Sequence, residues 1–182
     1  MDDAELVMRL KHYDSEAVSE VVTRYGAALH RYVDAMVDDH HLAEDIVSET
    51  YTRMLEHIGT YIYRGVPFRA SLYQIAHNLA INTVRRERPM AGEDVLEQIV
   101  APEADPERAV QQGEERAGLR RALLKLSDEQ QQVLLLHFVA EQSTAEVART
   151  LQKTEGAVKQ LQFRGLRSLA RLLRHAEDGD GV

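Results

Sequence analysis

The chain has 182 residues, a formal net charge of −8 and 44% hydrophobic residues, enough for one packed domain or two small ones and too apolar for a disordered chain. No apolar run approaches the roughly 20 residues that span a bilayer, and the start Met1-Asp2-Asp3 is acidic where a secretory leader is basic, so membrane insertion is not expected and the cytoplasm is the expected compartment. The absence of cysteine removes disulfides, thiolate nucleophiles and thiolate metal sites together.

The charge is unevenly divided. Residues 1–90 carry 10 basic and 14 acidic side chains, 91–113 carry 1 and 6, and 114–182 carry 11 and 10. A negative body opposes approach to phosphate except where a basic face is presented, and acidic surface elsewhere suggests a protein partner.

Ala4 to Leu10 is a short amphipathic segment, and Asp14 or Ser15 can cap a long helix running towards Asp38. Val18, Val21, Val22, Tyr25, Leu29, Tyr32, Val33 and Met36 recur at the three- and four-residue spacings of a core-facing helix. Gly26 costs about 1 kcal/mol inside it and is expected to mark a bend. Asp38, Asp39, His40 and His41 make a polar corner before a second helix from Leu42 to Ile58, whose stripe is Ala43, Ile46, Val47, Thr50, Met54 and Ile58. Glu44, Ser48, Tyr51 and Leu55 lie on one flank and Asp45, Glu49, Thr52 and Glu56 on another. Tyr51 and Leu55 beside carboxylates fit a docking surface or a patch covered by the long helix, and periodicity leaves both open.

Gly59 to Pro67 is a loop that interleaves Tyr61, Tyr63 and Arg64. The helix expected from Phe68 to Arg86 has a core stripe of Phe68, Leu72, Ile75, Ala76, Leu79 and Thr83. Gln74, His77, Asn78, Ile81, Arg85 and Arg88 lie opposite. Arginines at a helix carboxyl terminus are ordinary dipole compensation, but amide and imidazole groups on the same face, next to an aromatic loop able to stack unpaired bases, favour contact with single-stranded nucleic acid. Residues 91–113 hold prolines at 102 and 106 and a charge of −5, and read as an acidic linker. Val95, Leu96, Ile99 and Val100 can form a brief helix within it.

Glu114 to Lys125 opens the second domain, and three helices follow. Ser127 with Gln130 and Ser143 with Glu146 are capping boxes, Thr154 can cap the last helix, and only Gln152 and Lys153 separate Leu151 from Thr154, so the last two helices form a helix-turn-helix. At 100° steps Val158, Leu161, Gly165, Leu169 and Leu172 share a narrow core stripe, with Gln160, Phe163, Arg164, Arg167, Arg171 and Arg174 opposite. Lys153 to Arg174 holds six basic residues against Glu155 alone. A solvated basic face is the plain reading of such a run, but a short-turned helix exposing Phe163 has the form that enters a major groove, amino-terminal turns on base edges and cations on phosphates.

The stretches Ala43 to Tyr51, Phe68 to Ala80 and Leu126 to Arg164 resemble the extracytoplasmic-function (ECF) group of sigma-70-type sigma factors of bacterial RNA polymerase. The resemblance covers about Ser15 to Arg174. It implies an all-α protein of two small helical domains: residues 1–90 like sigma region 2, the linker 91–113, residues 114–176 like region 4 with its helix-turn-helix, and a disordered tail 177–182. It also implies core RNA polymerase and promoter DNA as partners, with an anti-sigma protein as a regulator. Asp45, Ser48, Glu49, Tyr51 and Leu55 would meet the polymerase. Tyr63, Arg64, Phe68, Arg69, His77, Asn78 and Arg85 would hold the minus-10 element, and Lys159, Gln160, Phe163, Arg164 and Arg167 would read the minus-35 duplex. Ser48, Ser71, Asn82 and Gln152 depart from the family's usual glutamine, tryptophan, aspartate and turn glycine. Gln152 in a left-handed turn costs about 1 kcal/mol.

An enzyme or metal-centre reading would have to use His30, His40, His41, His57 and nearby carboxylates. His40 and His41 are adjacent and cannot both point to one site from a regular helix, and no His-x-x-x-His pair occurs. No catalytic residue, cofactor or metal site is therefore expected. An ordinary helix-turn-helix regulator, whose first domain senses a ligand or dimerises, would instead bind a palindromic duplex site without polymerase. The alternative function kept beside the resemblance is a sigma-like helix-turn-helix regulator that does not act through core polymerase.

Overall fold

The computed structural model describes residues 1–37, 39–87 and 106–179, as eight α-helices with no strand among the described residues. The first domain comprises α1 (Asp3–Lys11), α2 (Ser15–Asp34), α3 (His40–His57) and α4 (Arg69–Glu87), with a 3-10 turn at Ile58–Thr60. Asp2, Asp14 and Asp39 each accept backbone N–H groups at the start of a helix, satisfying donors that have no partner within the helix. The apolar stripes of α2 and α3 meet around Val21, Leu29, Val33, Ala43, Ile46 and Met54, and α4 closes the core with Leu72, Ala76 and Ala80. Gly26 does not interrupt α2, which continues through it, and a Cβ there would stand 3.4 Å from the Tyr51 hydroxyl. Asp3 ties the following loop to α1: its carboxylate accepts the Phe68 N–H at 2.8 Å, and Tyr61 stacks edge-on against the Phe68 ring.

The second domain comprises α5 (Pro106–Leu123), α6 (Asp128–Leu134), α7 (Thr144–Leu151) and α8 (Glu155–Gly179). Helix α5 starts inside the stretch read as linker, because Pro106 stands at the first helical position, where proline's fixed φ favours a start and its missing N–H costs nothing. The rest of that linker, with the brief helix expected there, lies outside the described residues. At the other end α8 continues as helix to Gly179, past the boundary expected for the tail. Both capping boxes form.

Two features of this domain had no sequence signal. Helix α6 widens into a π turn over Leu135–Val139, where the Ala140 N–H reaches the Leu135 carbonyl at 2.9 Å. The turn is braced by His137, whose Nδ1–H donates to the Gln142 carbonyl at 2.8 Å, and the buried Gln142 side chain in turn accepts from Thr150 at 2.9 Å. Gly165 lets α8 settle on α6: a Cβ there would stand 3.2 Å from Leu134 Cδ1.

The domains pack together. Helix α7 lies on α4 and the π turn on α2, with a polar cavity of about 210 Å³ between them lined by Tyr32, Tyr73, Gln132, Leu136, Thr150 and Lys153 among others. Arg69 on α4 donates to Glu146 on α7 at 3.1 Å, and the Arg31 Nε–H points to the Val139 carbonyl at 3.4 Å.

Candidate nucleic-acid interface

The helix-turn-helix is built from local signals. Ser143 and Glu146 lock the start of α7, and its end is turned by Gln152 in the left-handed region at φ 54, with the Lys153 N–H returning to the Ala148 carbonyl at 2.9 Å. The Thr154 hydroxyl accepts the Ala157 N–H at 3.1 Å and so opens α8. With Val158 and Leu161 buried and Leu169 and Leu172 packed against the core, the opposite face is solvent-facing. Phe163 is 66% exposed, and Lys159, Gln160, Phe163 and Arg164 line one shallow surface depression. Arg167, Arg171 and Arg174 continue the exposed cationic row along the helix. Lys153 is drawn off this row by an ion pair to Glu129 at 2.6 Å, which holds that carboxylate below the usual range. The expected minus-35 residues thus share one surface.

The residues expected at the minus-10 element are divided by the fold. Tyr63, Arg64, Asn78 and Arg85 are exposed, and Ile62 stands exposed beside Tyr63, a loop residue signalled only by the apolar run Tyr61-Ile62-Tyr63. The Gln74 amide donates to the Asn78 side-chain oxygen at 3.2 Å, which orients that amide. Phe68 and His77 are corrections. Phe68 is core, packed by Tyr61, and its backbone is bound to Asp3. His77 is 2% exposed, with Nδ1 3.0 Å from the Tyr32 hydroxyl, and burial pushes its pKa down to about 4. A neutral imidazole inside the first domain offers nothing to a base or a phosphate in this conformation. Its place on the polar side of α4 is explained by a wide buried arc: Tyr73, His77 and Ile81 are covered as well as Leu72 and Ala76, because α2, α3 and α7 all pack on the helix. Arg69 is half-buried and committed to Glu146.

On α3, Asp45, Ser48 and Glu49 are exposed, and Arg53 pairs with Glu49 at 2.7 Å. Tyr51 and Leu55 are half-buried against the core, the Tyr51 hydroxyl lying buried without a hydrogen-bond partner beside Gly26. Tyr51 is thus partly covered by α2, and both Tyr51 and Leu55 keep an edge at the surface. Of the departures, Ser71 donates to the Phe68 carbonyl at 2.7 Å in the first turn of α4, a local bond where the family's tryptophan would supply apolar area.

Two small helical domains, the second presenting a basic helix from a helix-turn-helix, have the architecture of a DNA-binding protein. The sigma-70 region 2 family matches residues 21–89 and the sigma-70 region 4 family matches residues 122–171. The chain is 37% identical over 171 residues to the ECF RNA polymerase sigma factor BldN of Streptomyces coelicolor, an alignment covering 93% of this chain and 65% of that protein. It is 30% identical over 178 residues to the ECF RNA polymerase sigma factor SigW of Bacillus subtilis, covering 92% and 95%. In fold it is similar to CnrH as seen in complex with the cytosolic domain of CnrY, with a TM-score of 0.66 at 21% identity over 95% of this chain and 97% of that one. The chain belongs to the ECF sigma factors of the sigma-70 family. No helix among the described residues is long and apolar enough to cross a membrane.

Proposed function

We propose that the chain seats on core RNA polymerase through Asp45, Ser48 and Glu49 of α3, with the exposed edges of Tyr51 and Leu55, and reads promoter DNA with two separate surfaces. Lys159, Gln160, Phe163, Arg164 and Arg167 take the minus-35 element as duplex, base edges at the amino-terminal turns and phosphates along the arginine row. Tyr63 and Arg64 of the loop, with Asn78 and Arg85 of α4, take the minus-10 element as unpaired strand. Arg69, half-buried and held by Glu146 at 3.1 Å, joins them when α7 leaves α4. The protein carries no catalytic step of its own, works in the cytoplasm with the polymerase, and is held in check by an anti-sigma protein covering α3 and α8.

The observation that carries this reading is the exposed Phe163 flanked by Gln160 and Arg164 on a helix capped and turned for groove entry. The test is association with bacterial core RNA polymerase, followed by transcription from promoters selected by the reconstituted enzyme. Association with new promoter selectivity supports it. A folded, inhibitor-free chain that does not associate, yet binds a palindromic duplex by itself, overturns it in favour of a polymerase-independent regulator.

A further inference from the structure

The corner between α2 and α3 gathers groups that have no part in the promoter reading. His30 and Asp34 are four residues apart and share one face of α2, and His40 and Glu44 are likewise four apart on α3. One ligand atom from each of His30, Asp34 and His40 lies within 4.8 Å of the others. The His30 and His40 rings stand edge to face with centroids 4.8 Å apart. His40 Nδ1 is 3.6 Å from Asp34 Oδ1, and His40 Nε2 is 3.6 Å from Glu44 Oε1.

These separations are longer than hydrogen bonds. They are also within the range that a bridging ion closes by side-chain rotation: zinc bound at about 2.0–2.2 Å to imidazole and carboxylate holds its ligand atoms about 3.3 Å apart. The geometry points to a divalent transition-metal site formed by His30, Asp34 and His40 Nδ1, with solvent completing the coordination and Glu44, on the Nε2 side of the ring, as the acceptor that orients His40. Two imidazoles and one carboxylate suit zinc, cobalt or nickel, whereas calcium and magnesium prefer all-oxygen sets. Sequence spacing did not point to the site because its two histidines, His30 and His40, sit on different helices and form no His-x-x-x-His pair. The signal was a His-x-x-x-carboxylate pair on each side of a short corner, with neither half sufficient. Half-buried His30 anchors the site, while exposed Asp34 and His40 are free to adjust. A bound ion would join the end of α2 to the first turn of α3 at His40, about one and a half helical turns before the Asp45 of the proposed polymerase surface, and would neutralise part of the acid there.

The experiment uses the full chain without a histidine tag, stripped with chelator and titrated with zinc by calorimetry and with cobalt by visible absorption. The expected result is one ion per chain, a cobalt spectrum of tetrahedral intensity, and a melting temperature that rises with zinc concentration. Asp34→Asn and His40→Ala, both at exposed positions and checked for unchanged helix content, should each weaken binding at least about tenfold. His175→Ala, at the far end of α8, should not. Absence of saturable binding up to about a thousandfold excess over a micromolar dissociation constant would overturn the site. So would binding that the Asp34 and His40 variants leave intact, since the ion would then be held by other surface histidines. Neither result bears on promoter recognition, which is tested separately.

Discussion

Replacing Glu146 with Gln tests the contact that joins the helix-turn-helix to the first domain. The carboxylate accepts the Ser143 N–H at 2.9 Å and the Ser143 hydroxyl at 2.8 Å, and faces Arg69 at 3.1 Å. Those hydrogen bonds, Ser143 first and Arg69 second, hold its pKa down at about 2 from an ordinary 4.5. A depressed carboxylate contributes stability that is fully present above its ordinary value and is lost as pH falls through the folded one. At about 1.4 kcal/mol per pKa unit the ceiling is about 3 kcal/mol. The side chain is 34% exposed, so solvent screening brings the expected contribution to about 1–2 kcal/mol. Glutamine keeps an acceptor for the Ser143 N–H and loses the charge. Urea denaturation at neutral pH should therefore show Glu146→Gln less stable by about 1–2 kcal/mol, with the gap to the parent closing as pH drops from 4.5 towards about 2. Combined with Arg69→Gln in a double-mutant cycle, it should show a coupling of about 0.5–1 kcal/mol across the domain interface. A gap that persists unchanged into acid, or additive effects of the two substitutions, would refute the argument.

Because His77 is buried neutral with a pKa of about 4 against an ordinary 6.5, stability should fall by up to about 3 kcal/mol as pH drops from 6.5 through about 4. His77→Phe should remove that slope in a series of melting curves, and an unchanged slope would place the titrating group elsewhere. Arg164→Ala should weaken minus-35 duplex binding and flatten its salt dependence by about one unit, whereas an unaltered slope would take Arg164 off the phosphates. Gln152→Gly should raise stability by about 1 kcal/mol in denaturant titration, given φ 54 at that residue, and no gain would mean the turn is not strained. Tyr51→Phe removes a buried hydroxyl that has no partner and should leave stability unchanged or slightly higher. A loss above about 1 kcal/mol would show that the hydroxyl is bonded in solution.

What the sequence determined by itself is what depends on neighbours a few residues away. Both capping boxes, the Asp14 and Thr154 caps, the two-residue turn and the split of α8 into core and basic faces follow from spacings of three and four within one helix, and each is present in the fold. The start of α5 was missed by the same local logic misapplied, since proline ends helices from within but favours them at the first position. Tertiary structure decided how many sides of each helix are covered. A helical wheel gives α4 one apolar stripe and one polar one, but α2, α3 and α7 together bury a wider arc, which takes His77 into the core and leaves Asn78 outside. It likewise decided that Glu146, legible as a cap, also holds Arg69, and that Tyr51 lies against Gly26. The histidines on α2 and α3 converge for the same reason. Contacts between residues distant in the chain depend on how helices pack, and the periodicity of a single helix carries no information about its partners.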